Sequence, residues 1–255
     1  MRIATWNVNS IAARLPAVSA WLAEHQPDVL CLQEIKCVAE RFPAAAFAEL
    51  GYQAVVFGQP TYNGVAILAR EATVEVERGF PGEDGGPARL IAATVGPIRV
   101  VNVYVPNGAP LGSDRYTGKL DWLGRLRQYL EARHAPAELL ALCGDFNVAP
   151  EPRDVYDPEG LASQVLFTPP ERAALAPVAV WGLVDTFRLH QDEAGHYSWW
   201  DYRQAAFRRN LGLRIDHIWA TPPLAAACTA AWIDCVPRAG ERPSDHVPVV
   251  ADFAL

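Results

Sequence analysis

Three strand-like apolar runs of this chain end directly in polar side chains, and no other feature of the sequence limits the possible folds as much. Asn7, Glu34 and the pair Asp145 and Asn147 each follow such a run. A polar group that binds charge costs free energy inside a core, so its repeated placement at strand ends needs an explanation. In layered α/β proteins the strand ends meet at a rim, where loops build a functional site. The pattern therefore predicts a layered α/β fold with these side chains at one rim.

The spacing of apolar residues predicts strands and helices over the whole length of the chain. Four strand-like runs between residues 64 and 105 predict an antiparallel meander, with one of its turns at 83–87. Two packed, mostly antiparallel sheets covered by helices would accommodate this mixture. The predicted strands are 2–7, 28–33, 52–57, 65–69, 73–77, 90–95, 98–105, 139–143, 214–220, 229–236 and 247–253, and the predicted helices are 15–25, 42–50, 116–134 and 170–175.

Composition sets limits on the class of protein. A chain of 255 residues with 51% hydrophobic side chains can bury a large core, and we expect residues 1–255 to form one domain. No apolar stretch is long enough to cross a bilayer and no secretory signal opens the sequence, so we expect a soluble, cytoplasmic protein without a membrane partner. The five cysteines have no CxxC spacing, and small buried thiols in a reducing compartment explain them better than a zinc site.

The charge pattern leaves open whether the protein binds nucleic acid. A net charge of −7 argues against a non-specific polyanion binder, because nucleic-acid affinity depends largely on basic side chains. Functional carboxylates would bias this sum, however, and the arginines are unevenly placed. Arg203, Arg208, Arg209 and Arg214 fall within twelve residues, and this stretch could form one basic face on an otherwise acidic molecule.

Each polar residue after a strand also has a structural interpretation. Asn7 and Asn147 are ordinary turn formers when taken alone. Glu34 is either a metal ligand or one partner of a structural salt bridge, with Lys36 or an arginine. The pair Asp145 and Asn147 is more specific, because the preceding glycine allows a sharp bend and side chains two residues apart can point to the same side.

A second acidic cluster precedes the last predicted strand. Asp245 and His246 could hold a metal and a phosphate oxygen together, and Asp216 could accept the N–H of His246 and fix its tautomer. An isolated surface turn is the alternative for this cluster. Hard oxygen donors, Glu34 and Asn7 among them, suit Mg²⁺ or Mn²⁺ better than Zn²⁺. The clusters together therefore indicate phosphoryl chemistry.

Six motifs spread over the chain resemble the exodeoxyribonuclease III family of abasic-site endonucleases. The motifs are Thr-Trp-Asn-Val-Asn (5–9), Leu-Gln-Glu-Ile-Lys (32–36), Val-Tyr-Val-Pro-Asn-Gly (103–108), Gly-Asp-Phe-Asn (144–147), Leu-Arg-Ile-Asp-His (213–217) and Ser-Asp-His-Val-Pro (244–248). Several of them are shared with the sphingomyelinases, inositol polyphosphate phosphatases and DNase I-like enzymes of the endonuclease/exonuclease/phosphatase superfamily. The block 197–203, which leads into 210–216, resembles the DNA-repair branch. The resemblance implies a DNase I-like, four-layer α/β sandwich of two mixed sheets flanked by helices.

The resemblance also implies roles for the catalytic residues. Asp145, aided by Asn147, would orient or deprotonate the attacking water. His246, paired with Asp216, and Tyr104 would bind the scissile phosphate and stabilise the charge of the transition state. Mg²⁺ or Mn²⁺ would be the cofactor. The implied metal ligands are Glu34, Asn7, Asp245, Asp145 and Asn147.

Two further sets of residues are implied for the DNA. An apolar pocket would receive the extruded abasic sugar, and its implied residues are Trp199, Leu213 and Ile215. Either Trp199 or its neighbour Trp200 could instead be plain core. Contacts with the DNA backbone are implied for Asn107, Arg115, Lys119 and Arg203, for which solvated surface charge is the alternative.

The implied activity is incision of duplex DNA 5′ to abasic sites, with 3′-phosphodiesterase and 3′→5′ exodeoxyribonuclease activity. The implied substrate is duplex DNA with abasic or 3′-blocked sites, and we expect a monomer. Two other classes of function stay open at this point. One is a superfamily phosphoesterase that acts on lipid or small-molecule phosphates. The other is a non-catalytic DNA-binding or scaffold protein, against which the complete set of six motifs argues.

The segment 37–43 lacks the acidic run usual in close relatives, and its role is left open.

Overall fold

The computed structural model describes residues 1–83 and 85–255, and its architecture is two mixed β-sheets with helices on their outer faces. The predicted turn at 83–87 includes Asp84, which lies outside the described residues. The strands are β1 (Arg2–Asn7), β2 (Val29–Gln33), β3 (Gln53–Phe57), β4 (Val65–Ala69), β5 (Thr73–Arg78), β6 (Leu90–Val95), β7 (Ile98–Tyr104), β8 (Leu140–Asp145), β9 (Val184–Asp185), β10 (Asp216–Ala220), β11 (Cys228–Ile233) and β12 (Val249–Phe253).

Each sheet contains six strands and one parallel pair. The order in the first sheet is β11-β12-β1-β2-β4-β3, and the order in the second is β5-β6-β7-β8-β10-β9. The pairs β1–β2 and β7–β8 are parallel and the other neighbours are antiparallel. The predicted pair of mostly antiparallel mixed sheets is therefore confirmed.

The helices cover the outer faces of both sheets. They are α1 (Ile11–His25), α2 (Ala44–Ala48), α3 (Asp114–Arg133), α4 (Pro158–Leu161), α5 (Pro169–Val180) and α6 (Pro222–Ala226). One core lies between the sheets, a second lies between α3, α5 and the second sheet, and a third lies between α1, α2 and the first sheet. This stacking gives the four layers that the sequence predicts. Among the described residues, no helix is both long enough and apolar enough to cross a membrane.

Tertiary contacts move several predicted boundaries. Helix α1 begins at Ile11 and not near Leu15, because the buried Ile11 donates its amide to the Ile35 carbonyl; Pro16 consequently lies inside the helix. Helix α2 is only a short part of the predicted 42–50 helix, and α5 extends beyond the predicted 170–175 to Val180. The predicted four-stranded meander is wrong, because β4 pairs with β2 and β3 in the first sheet and only β5, β6 and β7 form a meander.

Candidate active site

The two parallel strand pairs end at the same edge of the molecule, one pair in each sheet. Asn7 ends β1 and Glu34 follows β2 in the first sheet, while Tyr104 ends β7 and Asp145 ends β8 in the second. Tyr104 and Asp145 are register partners across their parallel pair, as are Asn7 and Gln33. The sheets pack face to face, so the polar residues that follow these strands lie together, as the sequence pattern predicts.

Asn7 joins the two sheets at this edge. Its Nδ2 donates to Glu34 Oε1 at 2.9 Å and to Asp145 Oδ2 at 2.9 Å, so both hydrogens of the amide are used on carboxylates. Its Oδ1 accepts the backbone N–H of Asn9 at 3.0 Å. Asn7 is fully buried, and the three hydrogen bonds fix its orientation. The amide thereby holds a carboxylate of each sheet against the other.

Glu34 is held in its ionised form. Burial by itself would raise the pKa of Glu34, but the hydrogen bonds from Lys36 and Asn7 outweigh it and keep this pKa below its ordinary value. The Lys36 Nζ lies 2.8 Å from Glu34 Oε2, so the salt bridge that the sequence left as an alternative is present. Because Glu34 Oε1 also lies at the carboxylate cluster, the salt bridge and metal binding do not exclude each other.

The loop after β8 is built tightly around Asp145. Asp145 Oδ1 accepts the backbone N–H of Asn147 at 2.9 Å, and Asn147 Nδ2 donates to the Val105 carbonyl at 2.9 Å. Asn107 Nδ2 in turn donates to Asn147 Oδ1 at 3.2 Å. Gly144 has a φ of 141°, and a Cβ at this position would collide with the Val103 carbonyl of β7. Only glycine fits this conformation and close approach, as the sequence interpretation of the bend requires.

His246 is oriented by a second carboxylate. Its Nδ1 donates to Asp216 at 2.9 Å, which leaves Nε2 on the side of Asp145, 3.8 Å from Oδ2. Burial alone would lower the pKa of His246, but the charges of Asp216 and Asp145 raise it well above the ordinary value, so the ring carries a positive charge. The pKa of Asp145 is raised, chiefly by burial and further by the nearby carboxylate of Asp216.

One group of side chains could hold a metal ion. Ligand atoms of Glu34, Asp145 and His246 all lie within 4.8 Å of one another, and this is the one such group in the part of the chain that the structure describes. Two carboxylates that approach closely in a buried site repel each other, and a cation between them would relieve that repulsion. Asp245 lies outside the group, where its carboxylate accepts from Asn9 Nδ2 and Trp199 Nε1, both at 3.0 Å.

The predicted apolar pocket lies beside this cluster. Trp199 forms isolated strand-like bridges with both Leu213 and His246, and its ring centroid lies 6.5 Å from that of His246. Trp199 is half-buried, whereas Leu213 and Ile215 are buried, and all three belong to one apolar cluster. Trp200 is buried in a neighbouring cluster and donates to Asn210, so it is the core member of the tryptophan pair.

The predicted DNA contacts divide into accessible and inaccessible residues. Asn107, Arg115 and Arg203 are exposed. The prediction for Lys119 is wrong, because its side chain is fully buried in a salt bridge with Glu171 and cannot reach a phosphate on the surface. Its Nζ also donates to the carbonyls of Asn107 and Asn147, so Lys119 supports the active-site loops from inside.

The predicted basic face also needs correction. Arg203, Arg208 and Arg209 are exposed, but Arg214 is buried. Its guanidinium lies 2.7 Å from Asp154 Oδ1 and 2.8 Å from Asp185 Oδ2. A buried charge must be paired, and these two carboxylates provide the pairing.

Arg214 belongs to a buried network that sequence reasoning missed. Its Nη1 donates to His217 Nδ1 at 3.0 Å, which leaves His217 Nε2 facing the Val148 carbonyl at 3.4 Å. The network therefore reaches the loop that carries Asp145. Asp154 ends a single turn of 3₁₀ helix (Pro152–Asp154) and Asp185 lies in a two-residue strand. An isolated Asp is an ordinary residue in such short elements, so the sequence carries no signal for them.

Arg89 is a second residue that the sequence did not indicate. Its guanidinium carbon lies 4.5 Å from the centroid of the Tyr104 ring, and its Nη1 donates to the Tyr104 carbonyl at 3.1 Å. Burial and the charges of Glu34 and Asp145 raise the pKa of Tyr104, so its hydroxyl stays protonated. Arg89 is a half-buried residue directly before β6, and no motif distinguishes it from the other arginines of the sequence.

Comparison with known proteins extends over the whole chain. The model of the endonuclease/exonuclease/phosphatase family matches residues 4–246. Exodeoxyribonuclease III of Haemophilus influenzae is 35% identical over 99% of this chain and 100% of its own length, and the DNA repair nuclease APEX1 of Danio rerio is 32% identical over 100% of this chain and 83% of its own.

Solved structures agree with the sequence relatives. An AP endonuclease from Archaeoglobus fulgidus superposes with a TM-score of 0.98 at 43% identity, and the 3′-5′ exonuclease NExo from Neisseria meningitidis with a TM-score of 0.95 at 44% identity; each match covers 100% of both chains. The family match, the relatives and the arrangement of the six motifs at one rim all lead to one assignment. The chain belongs to the endonuclease/exonuclease/phosphatase family.

Proposed function

We propose that this chain is a DNA-repair phosphodiesterase that incises duplex DNA 5′ to abasic sites and also removes 3′-blocking groups and 3′-terminal nucleotides. The observation that carries the proposal is the convergence of Glu34, Asp145 and His246 beside the apolar pocket of Trp199 and Leu213. The named relatives support it, since they include an exodeoxyribonuclease III, an AP endonuclease and a 3′-5′ exonuclease.

The donor set fits Mg²⁺ or Mn²⁺. Glu34 and Asp145 would hold the ion, because hard oxygen donors suit these cations. Asn7, Asn147 and Asp245 would act through water, since the amide oxygens of Asn7 and Asn147 accept from neighbouring residues and Asp245 lies outside the cluster. The bound ion would supply a Lewis acid for a phosphate oxygen. The carboxylates of Glu34 and Asp145 come from different sheets, so the ion would also hold the two sheets together at this edge.

Asp145 would act on the attacking water. Its carboxylate lies at the cluster, and the N–H of Asn147 fixes one of its oxygens, so that the group is oriented to accept a proton from a water beside the phosphate. The water oxygen forms a bond with phosphorus while Asp145 takes one proton. The bond between phosphorus and the 3′ oxygen breaks, and this oxygen acquires a proton to become a 3′-hydroxyl. The phosphate remains on the 5′ side of the abasic sugar.

His246 and Tyr104 would stabilise the phosphate. Asp216 accepts the Nδ1–H of His246, so the remaining N–H is free to donate to a phosphate oxygen. The positive charge on the ring opposes the negative charge that accumulates in the transition state. The protonated hydroxyl of Tyr104 offers a second donor.

We further propose the setting in which the enzyme acts. Asn107, Arg115 and Arg203 are exposed and would contact the DNA backbone. The five free thiols suit a reducing compartment, so we place the enzyme in the cytoplasm. We propose one domain over residues 1–255 and a monomeric enzyme.

The test is cleavage of a duplex that carries one tetrahydrofuran abasic analogue, beside an undamaged duplex of the same sequence. Reactions contain Mg²⁺, Mn²⁺ or EDTA. Metal-dependent incision on the 5′ side of the analogue is the expected result. Degradation from the 3′ end alone would limit the enzyme to an exonuclease, and no action on either duplex would contradict the proposed function.

A further inference from the structure

A cavity of about 340 Å³ lies between helix α5 and the second sheet, and we call it the α5 cavity. Ala176 and Val180 of α5 line one side of it. The buried side chains of Trp219 on β10 and of Leu183, directly before β9, line its base. No lining residue belongs to the carboxylate cluster of the active site, so the α5 cavity is separate from that cluster.

The size and the apolar lining of the α5 cavity suit part of a small molecule. Pockets for small organic ligands begin at roughly 300 Å³ and are lined mainly by apolar side chains. Leu175, Ala179 and Leu183 provide such side chains, and Val180, which is 84% exposed, extends the apolar surface to solvent. Apolar surface that is removed from water lowers the free energy in proportion to its area. An apolar group of a ligand would therefore be stabilised here.

The charged residues of the lining leave one cation without a partner. Two acids line the cavity, but Glu151 pairs with Arg153, and Asp185 lies 2.8 Å from the guanidinium of Arg214. Arg172 also lines the cavity and is half-buried, and within the described part of the chain it forms no salt bridge. A partly buried charge favours a partner of opposite sign. The free charge of the α5 cavity is therefore positive.

The unpaired polar atoms of the lining are donors as well. The Nε1–H of Trp219 and the Nε–H of Arg172 are both buried, and neither has an acceptor among residues 1–83 and 85–255. Trp219 is only 4% exposed, so its N–H is removed from bulk solvent. The Arg172 guanidinium is held over the Phe167 ring, 4.5 Å from its centroid. A buried donor costs free energy until it finds an acceptor, and a ligand with acceptor atoms would supply one.

We propose that the α5 cavity binds a small amphipathic anion, which consists of an apolar ring system and one carboxylate or sulfonate group. The rings would cover the apolar base of the cavity, and the acidic group would pair with Arg172. The carboxylates of Glu151 and Asp185 lie at the same cavity and would repel further negative charge, so an anion with one charge fits better than a multiply charged phosphate. This inference does not depend on the proposed function.

The experiment compares two fluorescent probes that share their rings and differ in charge. Anilinonaphthalene sulfonate carries the acidic group, and phenylnaphthylamine lacks it; both emit strongly when they leave water. The sulfonate is expected to bind one site at least about tenfold more tightly than the neutral probe. The net charge of −7 opposes non-specific binding of an anion, so this preference requires a local cation. Equal affinities, or tighter binding of the neutral probe, would overturn the proposal.

Variants of α5 test whether the probe lies in the cavity. Ala176→Trp fills the cavity from an exposed position, and Ala173→Trp, also exposed on α5 but outside the cavity, is the matched control. Ala176→Trp is expected to lower the affinity for the sulfonate by at least about tenfold, and Ala173→Trp by less than about twofold. Both variants should unfold cooperatively in urea like the wild type. Sulfonate binding that survives Ala176→Trp, or is lost equally in both variants, would contradict the assignment.

The role of the guanidinium is tested by Arg172→Gln and by competition. Arg172→Gln removes the charge, so it should weaken binding of the sulfonate by at least about fivefold and leave the affinity for the neutral probe unchanged. In the wild type, naphthoate should displace the sulfonate, whereas sodium sulfate at equal ionic strength should not, because it has no apolar part. Displacement by sulfate as effective as that by naphthoate, or an equal loss of both probes in Arg172→Gln, would refute an amphipathic anion as the ligand.

Discussion

Asp145 combines two requirements that oppose each other at the level of a single side chain. It is only 1% exposed, and burial favours the protonated acid, yet the proposed base must be a carboxylate. The charge of His246 and the amide of Asn7 stabilise the ionised form. Without a bound cation the pKa of Asp145 is consequently raised to about 7, and a cation held by the same carboxylate would lower it and favour the ionised form.

The first prediction concerns Asp145→Asn. The variant keeps the size of the side chain and removes its basicity, so we expect kcat for abasic incision to fall by about 10³-fold or more. Asp121→Asn, an exposed change on α3, is the control and should leave kcat as it is. Incision by Asp145→Asn at the wild-type rate, in protein free of contaminating nuclease, would refute the role of this carboxylate.

A second prediction concerns Arg89, which supports Tyr104 through its stacked guanidinium. Arg89→Met removes the charge and the stacking, so Tyr104 loses its fixed position and we expect kcat to fall by about tenfold with a smaller change in KM. Arg89→Lys retains the charge but not the planar group, and should recover only part of the loss. Arg70→Met, an exposed change, is the control. A rise in KM with an unchanged kcat would instead indicate that Arg89 contacts the DNA.

At the level of elements, the segment from Leu213 to His217 gives successive residues different neighbours. Leu213 packs against Trp199 in the apolar pocket, Arg214 enters the buried network, Ile215 packs in the core and Asp216 holds His246. Side chains of an extended chain alternate between two sides, so one short segment connects the apolar pocket, the buried network and the His246 imidazole. A substitution in the buried network is therefore expected to shift both the apolar pocket at Leu213 and the position of His246.

The third prediction uses the pH dependence of this network. Burial and the charge of Arg214 lower the pKa of His217 to about 4. An unfolded histidine has its ordinary pKa of about 6.5, so the unfolded chain binds a proton that the folded chain does not. The stability contributed by neutral His217 is therefore complete above pH 6.5 and decreases as the pH falls toward 4, by as much as about 3 kcal/mol.

Urea unfolding of the wild type and of His217→Gln at several pH values measures this effect. The difference in unfolding free energy between them should be largest at pH 7 and should shrink toward pH 4.5, since glutamine has no proton to gain. His190→Gln replaces an exposed histidine and should leave the pH dependence of the wild type unchanged. A difference that stays constant with pH would mean that His217 is not held neutral.

The sequence predicts elements better than it predicts their partners, for physical reasons. Alternation and apolar runs are local properties, so the positions of β2, β4 and β8 follow from them. The pairing of β4 with β2 depends on which faces two sheets bury against each other, and this is not a local property. The burial of Lys119 and Arg214 could not be predicted either. Whether a charged side chain is buried depends on a carboxylate that is distant in the sequence, and the residue type alone does not indicate such a partner.

At the scale of the whole molecule, the active site is divided between the two sheets. Glu34 comes from the first sheet and Asp145 from the second, so their separation depends on how the sheets are aligned. The rim itself could be predicted from the sequence, because the polar residues at the strand ends mark it. The position of Tyr156 and Val165, which line a pocket together with Trp199, could not be predicted, because both residues lie in irregular segments whose position depends on the assembled sheets.

A buried pair of amides aligns the sheets directly below the site. Gln33 on β2 donates through Nε2 to Asn102 Oδ1 on β7 at 2.7 Å. Asn102 Nδ2 returns to the first sheet and donates to the carbonyls of Leu32 and Ala66, at 3.0 Å and 2.9 Å. Both amides are fully buried, so loss of either partner leaves polar groups without compensation in the core between the sheets.

The last prediction tests this alignment with a double-mutant cycle. Asn102→Leu and Gln33→Leu should each lower the free energy of unfolding in urea by about 1–3 kcal/mol, whereas the double variant should lose less than the sum by at least about 0.5 kcal/mol, because it leaves neither amide unpaired. Asn102→Leu should also reduce kcat, since Glu34 follows Gln33 directly and would shift with it. Gln53→Leu, an exposed change on β3, should be additive with Asn102→Leu. Additivity of the two buried changes would show that the amides do not act as a pair, and the alignment of Glu34 with Asp145 would then depend on apolar packing between the sheets alone.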